Sequence, residues 1–358
     1  MKLVFSVDGK KLSADCGLKK LRVKSFSGDY EVLFGPPEKY FFSAGAVVCD
    51  AKVKKLHPSR FPKKIRALEL EAGERLKTFS GAGKIFDFLR LKAVARSGSL
   101  SVVGGGTFHD CAGFCAACYK RGIRWEYSPT TLLAMFDCCL GGKTAINYAG
   151  AKNQLGFFYP PRRVFVDPVF SSTLEPEQKA SGLGEALKTA VIAGPAALEK
   201  YRALSPRVMA GDSAAVLEMA RLCLSVKKAV VEADERETGL RRVLNYGHTV
   251  CHAVESLCGW RIPHGICVAI GMTAAAEISG VSGDWRAEVD GLCLEIIGKR
   301  KLPQFAASAL LAALGEDKKA AAGSAAFVFA LSPGNMIVKP VALNRNLGLR
   351  LSRFLSIF

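Results

Sequence analysis

Three of the chain's five histidines, His248, His252 and His264, fall within seventeen residues of the stretch RRVLNYGHTVCHAVESLCGWRIPHG, Arg241 to Gly265. His248 and His252 are four apart, so on a helix they stand one above the other on a single face. Arg241, Arg242 and Asn245 precede them within a turn or so, which sets anion-binding and hydrogen-bonding groups beside imidazoles. A catalytic zinc site has three protein ligands and an open position, often with a carboxylate among them. Glu185, in GLGEALK, is the carboxylate best placed in sequence to join His248 and His264, because it sits beside glycines on a largely apolar helix. The plainer alternatives are a packed or exposed histidine pair, and a surface ion pair between Glu185 and Lys188.

A second chemistry is offered by Gly104-Gly105-Gly106. Gly104 and Gly106 fit the first two positions of the dinucleotide fingerprint G-x-G-x-x-G, but the third is His109. A glycine turn feeding a helix still presents backbone N–H groups and a favourable dipole to a pyrophosphate, so a nucleotide site and an ordinary tight turn both stand. Gly142-Lys143-Thr144 lacks the first glycine of a phosphate loop, because Asp137 occupies that position and would repel phosphate. There remain Asp137, Lys143, Asn147, Lys152 and Asn153 in a loop-rich segment ending at Pro160-Pro161. Such a cluster can hold anionic and hydroxylated groups, or simply be solvated.

These groups need elements to position them. Leu244, His248, Cys251, Val254 and Leu257 recur at helical steps, and Gly259 and Pro263 end that helix before His264. Buried-strand runs are expected at Gly45 to Cys49, Ile65 to Leu70 and Leu100 to Val103, with helices at Phe79 to Val94 and from about Asp110. Short strands and loops fill roughly the first 45 residues. Strands alternating with helices predict a parallel sheet with a ligand at the carboxyl ends of its strands. From residue 167 the pattern turns Ala/Leu-rich and helical, with few strands until Ala325 to Leu331. The fold expected is an α/β nucleotide-binding domain, residues 1–160, followed by a mainly α-helical metal-binding domain, residues 161–358. The charge-dense run from Lys227 to Arg241 reads as a solvated face.

Composition sets the outer bounds. Hydrophobic residues make up 49% of the chain, which excludes a mainly disordered protein. The formal net charge of +18 is spread over basic pairs and the triplet Lys299-Arg300-Lys301, without a long tract or an interleaved aromatic stripe, so it argues weakly for nucleic acid. No signal peptide or membrane span is expected, and a cytoplasmic protein follows. Its twelve cysteines are then reduced thiols. Cys115 and Cys118 form a CxxC with no second pair at zinc-ribbon spacing, and small-residue packing is the better account.

The motifs together resemble the 3-dehydroquinate synthases of the sugar phosphate cyclase superfamily. They are GGGxxxDxxGF (Gly104 to Phe114), RG (Arg121-Gly122), PTTLLA (Pro129 to Ala134), D-x5-K-TAIN (Asp137 to Asn147) and KN (Lys152-Asn153). GLxExxK (Gly182 to Lys188), DERExGLR (Asp234 to Arg241), LNxGHTxxHAxE (Leu244 to Glu255) and HG (His264-Gly265) complete the set. The resemblance implies that Glu185, His248 and His264 bind a divalent metal, zinc or cobalt. It implies NAD along Asp50, Glu74, Lys77, Gly105, Gly106, Asp110, Thr130, Thr131, Lys152 and Thr173. Lys143, Asn153, His252, Arg121 and Lys318 would hold a substrate phosphate, with Arg121 reaching in from the partner of a homodimer. Lys227 and Arg241 would hold a carboxylate, while Asp137, Lys188, Glu237 and Asn245 contact hydroxyls. The implied reaction converts 3-deoxy-D-arabino-heptulosonate 7-phosphate to 3-dehydroquinate and phosphate, a shikimate-pathway step with NAD recycled in each turnover. The alternatives are a sister cyclase acting on sedoheptulose 7-phosphate or glucose 6-phosphate and, from another class, a zinc-stabilised nucleic-acid-binding protein. The chain departs from the family pattern at His109, where glycine is usual, in its first seventy or so residues and in its many cysteines.

Overall fold

The computed structural model describes all residues except 37–44, 63–64 and 316–322. The chain divides into two compact units, each assembled from separate stretches of sequence. One unit comprises Gly17–Glu175 and Ala210–Lys228; the other comprises Met1–Cys16, Pro176–Met209 and Ala229–Phe358.

The first unit is built on a seven-stranded sheet. Its spatial order is Lys20–Val23, Tyr30–Phe34, Arg163–Val166, Arg124–Pro129, Ser99–Gly104, Ala46–Asp50 and Leu68–Leu70. All neighbours pair in parallel except the edge strand Lys20–Val23, which is antiparallel to Tyr30–Phe34. The central strands are buried because parallel strands are covered on both faces, which is why Val47, Val48, Val102 and Val103 read as apolar runs without alternation. Helices Phe79–Leu91 and Gly106–Cys118 belong to this unit. The latter starts four residues earlier than the sequence suggests, since Gly105 in extended conformation serves as its N-cap and the glycine turn feeds straight into it. The segment expected to be loop-rich is instead an antiparallel hairpin, Lys143–Tyr148 with Ala151–Phe158, turning at Ala149 and Gly150, both with positive φ.

The second unit is mainly helical: Pro176–Ala193, Pro195–Met209, His248–Leu257, His264–Ser279, Asp284–Ile297, Ala307–Gly315 and Arg345–Leu355. His264–Ser279 is buried on nearly every side from Gly265 to Ala276, the pattern of a central helix. A four-stranded sheet joins these helices, in the order Ser324–Ser332, Asn335–Ala342, Lys2–Val7 and Lys10–Asp15. The amino-terminal hairpin therefore belongs here, because Ser6 and Val7 pair in parallel with Asn335 and Met336. A single cut at residue 160 does not follow these units, since 1–16 and 210–228 fall on the other side of it. Among the described residues no helix is long and apolar enough to cross a membrane.

Candidate functional site

In the helical unit Glu185, His248 and His264 come together, with one ligand atom of each within 4.8 Å of the others. Glycines at helix crossings dictate this. Glu185 follows Gly184, and a Cβ on Gly184 would lie 2.0 Å from the carbonyl oxygen of Gly265, the residue after His264. His248 follows Gly247, whose carbonyl oxygen would lie 1.9 Å from a Cβ on Gly271. Each ligand is thus the chain neighbour of a residue where two backbones touch, and a side chain at either crossing would push the ligands apart. Gly247 has φ 80°, which ends the turn Leu240–Asn245 and starts a new helix at His248. The continuous helix expected from Leu244 is broken there for that reason.

The ligand geometry fits a small divalent ion. His248 Nε2 and His264 Nε2 lie 3.4 and 3.2 Å from Glu185 Oε1. A tetrahedral ion bound at about 2.0–2.1 Å has ligand separations of roughly 3.3–3.4 Å. Both Glu185 oxygens are buried without a hydrogen bond of good geometry, although the Lys188 ammonium is in ion-pair contact with Oε2. The nitrogens are near the carboxylate without donating to it well, as ligands converging on a common point are. Behind them, His248 Nδ1 lies 3.3 Å from the Tyr246 carbonyl oxygen, and His264 Nδ1 lies 3.1 Å from Glu255 Oε1. Both partners accept, so in the neutral imidazoles the proton sits on Nδ1 and Nε2 is left as the atom that can ligate.

Burial would raise the Glu185 carboxyl, but the Lys188 ammonium and the two imidazoles hold it well below the usual carboxylate range. Burial and the Lys188 charge push His248 down, against the pull of Glu185. Burial would also lower His264, yet the nearby Glu185 and Glu255 carboxylates raise it to about 10, so an ion taken up at Nε2 displaces a proton there. His252 is exposed, with its ring 5.5 Å from that of His248 and 6.2 Å from that of His264. Lys188, read from sequence as one half of a surface pair, is 1% exposed.

The run from Asp234 to Asn245 closes on itself. Asp234 accepts from the backbone N–H groups of Thr238, Gly239 and Arg241. Arg241 is only 2% exposed, its guanidinium donating to the Glu235 carbonyl, and Asn245 donates to Glu237 at 2.8 Å. The expected solvated face fails at Lys227 and Arg241, both buried, because specific partners satisfy their charges.

In the sheet unit the carboxyl ends of three adjacent parallel strands collect Asp50, the Gly104–Gly106 turn, Thr130 and Thr131. A Cβ on Gly104 would lie 2.4 Å from the Phe108 ring, and one on Gly105 3.1 Å from Thr131 Cγ2. Gly104 therefore leaves no room for a side chain and Gly105 little, and the turn brings main chain to the N-terminus of helix Gly106–Cys118, which has no side-chain cap. An arrangement of this kind can cradle a pyrophosphate. The His109 side chain does not fill it, since it is fully buried against Trp125 and Tyr127.

Beside the cradle, Lys77 donates to Asp110 and to Asn153, each at 2.6 Å, and His109 Nδ1 faces the other Asp110 oxygen at 3.3 Å. Burial opposes charge on both partners, but their pairing raises Lys77 and, with His109, lowers Asp110. Glu74 accepts from Asn147 at 2.7 Å and pairs with Lys152 at 3.3 Å. Lys227 donates to the Asp137 carboxylate at 2.8 Å. Thr173 Oγ1 lies 2.8 Å from His57 Nε2, while Asp50 caps helix Ala51–Leu56. Lys143 and Arg121 are exposed, and Lys318 lies outside the described residues.

Sequence reasoning assigned no role to Glu255, Tyr246 or His57. Glu255 carried a signal, standing seven residues after His248 and so on the same helical face. The Tyr246 carbonyl and His57 carried none, because a main-chain acceptor and a partner 116 residues away leave no local pattern.

The 3-dehydroquinate synthase N-terminal family matches residues 67–181, and the 3-dehydroquinate synthase C-terminal family matches residues 182–320. The chain is 40% identical over 277 residues to a 3-dehydroquinate synthase of Thermosynechococcus vestitus, covering 74% of each. It is 38% identical over 283 residues to that of Geotalea uraniireducens, covering 78% of this chain and 79% of that one. Among solved structures it resembles a 2-epi-5-epi-valiolone synthase from Streptomyces hygroscopicus with NAD+ and Zn2+ bound. There the TM-score is 0.83 at 22% identity, over 94% of this chain and 99% of that one. A 2-deoxy-scyllo-inosose synthase complexed with carbaglucose-6-phosphate, NAD+ and Co2+ gives a TM-score of 0.77 at 23% identity, over 92% and 99%. At such identity these two structures speak for the fold alone.

Proposed function

The chain belongs to the 3-dehydroquinate synthase family, and from that premise we propose that it converts 3-deoxy-D-arabino-heptulosonate 7-phosphate to 3-dehydroquinate and phosphate. NAD and a divalent ion, zinc or cobalt, are its cofactors in this reading. The observation that carries it is the convergence of Glu185 with two imidazole Nε2 atoms whose Nδ1 protons already have acceptors. When bound, NAD supplies a hydride acceptor that is restored within the turnover, and the ion supplies Lewis acidity.

The chain's own residues bind, orient and hold protons. Gly105 and Gly106 bring backbone N–H groups to a pyrophosphate, and Asp50, Glu74, Lys77, Asp110, Thr130, Thr131, Lys152 and Thr173 frame the rest of NAD. Lys188, in ion-pair contact with Glu185, offers an N–H to a substrate hydroxyl. Asp137, Glu237 and Asn245 take other hydroxyls. Arg241 and Lys227 grip the substrate carboxylate, and Lys143, Asn153, His252 and Arg121 the phosphate, with Arg121 contributed across a homodimer.

The test is phosphate release from the heptulosonate phosphate by purified protein supplied with NAD and zinc, with no net NADH. Turnover on sedoheptulose 7-phosphate or glucose 6-phosphate and none on the acid would overturn the substrate and leave the family intact. Arg241→Ala should lose about 2–5 kcal/mol in transition-state binding of the acid, read from kcat/KM, if the guanidinium pairs with a buried carboxylate.

A further inference from the structure

Cys251, Glu255 and Cys267 also converge, placing two sulfurs and a carboxylate oxygen within 4.8 Å of one another. Their residues are 0%, 5% and 0% exposed. The helix pair fixes the arrangement. Gly247 touches Gly271 at one end of the contact between His248–Leu257 and His264–Ser279, and Glu255 meets His264 at the other. The helices therefore run antiparallel. One turn inward from the glycine crossing, Cys251 on one helix stands opposite Cys267 on the other, so the register that seats glycine on glycine also seats sulfur against sulfur. Glu255 is the next turn on from Cys251, and Cys251 Sγ lies 3.7 Å from the same His264 Nδ1 that Glu255 approaches.

We propose that Cys251, Cys267 and Glu255 form a second cation site, for a thiophilic divalent ion of the zinc or cadmium class, linked to the first through His264. Two thiolates and one carboxylate suit a soft or borderline ion and disfavour magnesium or calcium, which take oxygen ligands. Each thiol gives its proton to solvent as its sulfur–metal bond forms, and no electron is transferred. Glu255 then serves two partners. An ion that takes its oxygen removes the acceptor that orients His264, so filling the second site weakens the first. Nothing in this inference depends on which sugar phosphate is the substrate.

Chelator-stripped full-length protein titrated with cobalt(II) distinguishes the two sites by spectrum. The donors of Glu185, His248 and His264 contain no sulfur, so a near-ultraviolet thiolate-to-cobalt charge-transfer band cannot come from the first site. The expected result is two equivalents, with the band rising on the second. Cys251→Ala and Cys267→Ala should each remove the band and one equivalent, and Glu185→Gln should remove the other equivalent and keep the band. Saturation at one equivalent without the band, in the wild-type protein, overturns the second site and leaves the first standing. A band that persists in both cysteine variants assigns the thiolate elsewhere among the twelve cysteines and also overturns it.

Discussion

Two carboxylates with similar surroundings end in different states. Asp110, in the sheet unit, spends one oxygen on Lys77 at 2.6 Å and turns the other to His109, while Lys77 donates again to Asn153. Glu185, in the helical unit, is 1% exposed and has three nitrogens close by, yet neither of its oxygens accepts a well-aligned hydrogen bond. Burial works against the charge on both, and in both neighbouring cations prevail. The first network is satisfied by its own residues and so fixes the position of groups beside the glycine turn. The second is fully satisfied only by a cation shared among its members.

Glu185→Ala should break the contrast most severely. It takes the Glu185 carboxylate away from the buried Lys188 ammonium, and the chelated protein should lose about 3–5 kcal/mol in urea denaturation. The metal equivalent held with His248 and His264 should go with it, as measured by elemental analysis after dialysis. Undiminished metal content would show that Glu185 is not a ligand. Lys77→Met is the matching change in the satisfied network. Asp110 then loses its ammonium, at about 1–3 kcal/mol, together with affinity for NAD measured by calorimetry. Its pH dependence has a definite sign. A carboxyl whose folded pKa lies below its ordinary 3.8 adds stability that is complete above that value and is lost as pH falls through the lower folded one. The variant should therefore show a shallower loss of stability on acidification below pH 3.8 than the wild type.

The residues that do chemistry were legible because their types are rare and specific. Histidines at 248 and 264 and a glutamate between small residues stand out as candidate ligands, and the family pattern selects them over a packed pair or a surface ion pair. What brings them together was not legible, since the crossings of Gly184 with Gly265 and Gly247 with Gly271 depend on which helices meet and at what register. Buried β-strands gave clear signals at Ala46–Asp50 and Ser99–Gly104, where β-branched residues are buried on both faces. The hairpin Lys143–Phe158 gave none, because its second strand is exposed along most of its length and carries no apolar period. Nor does anything local tell the first sixteen residues to pair with a strand more than three hundred residues away. Asp137 and Lys227 were each assigned a ligand from the family pattern, whereas here they pair with one another across ninety residues. A carboxylate that comes for Lys227 has to compete with one already there.

Two milder substitutions sharpen the contrast from either side. Glu255→Gln keeps the size of the side chain that orients His264 and removes its charge. Metal affinity at the Glu185 centre should fall about 10–100-fold with little change in thermal stability, since outer partners of a ligating imidazole tune affinity on that scale. An unchanged affinity would mean that the Tyr246 carbonyl and the helix register suffice to hold both imidazoles. Lys152→Met lies at the exposed rim of the sheet unit's network, where Lys152 is 3.3 Å from Glu74 and their side chains are 29% and 46% exposed. Solvent screens that pair, so the variant should lose no more than about 0–1 kcal/mol of stability in the urea assay. Its loss of NAD affinity should be salt-dependent and smaller than that of Lys77→Met, because an exposed ammonium contributes chiefly long-range attraction to the pyrophosphate. If Lys152→Met instead matched Lys77→Met in both measurements, the rim pair would hold its partners as firmly as the buried one does, and self-satisfaction would not distinguish the interior of this network from its edge.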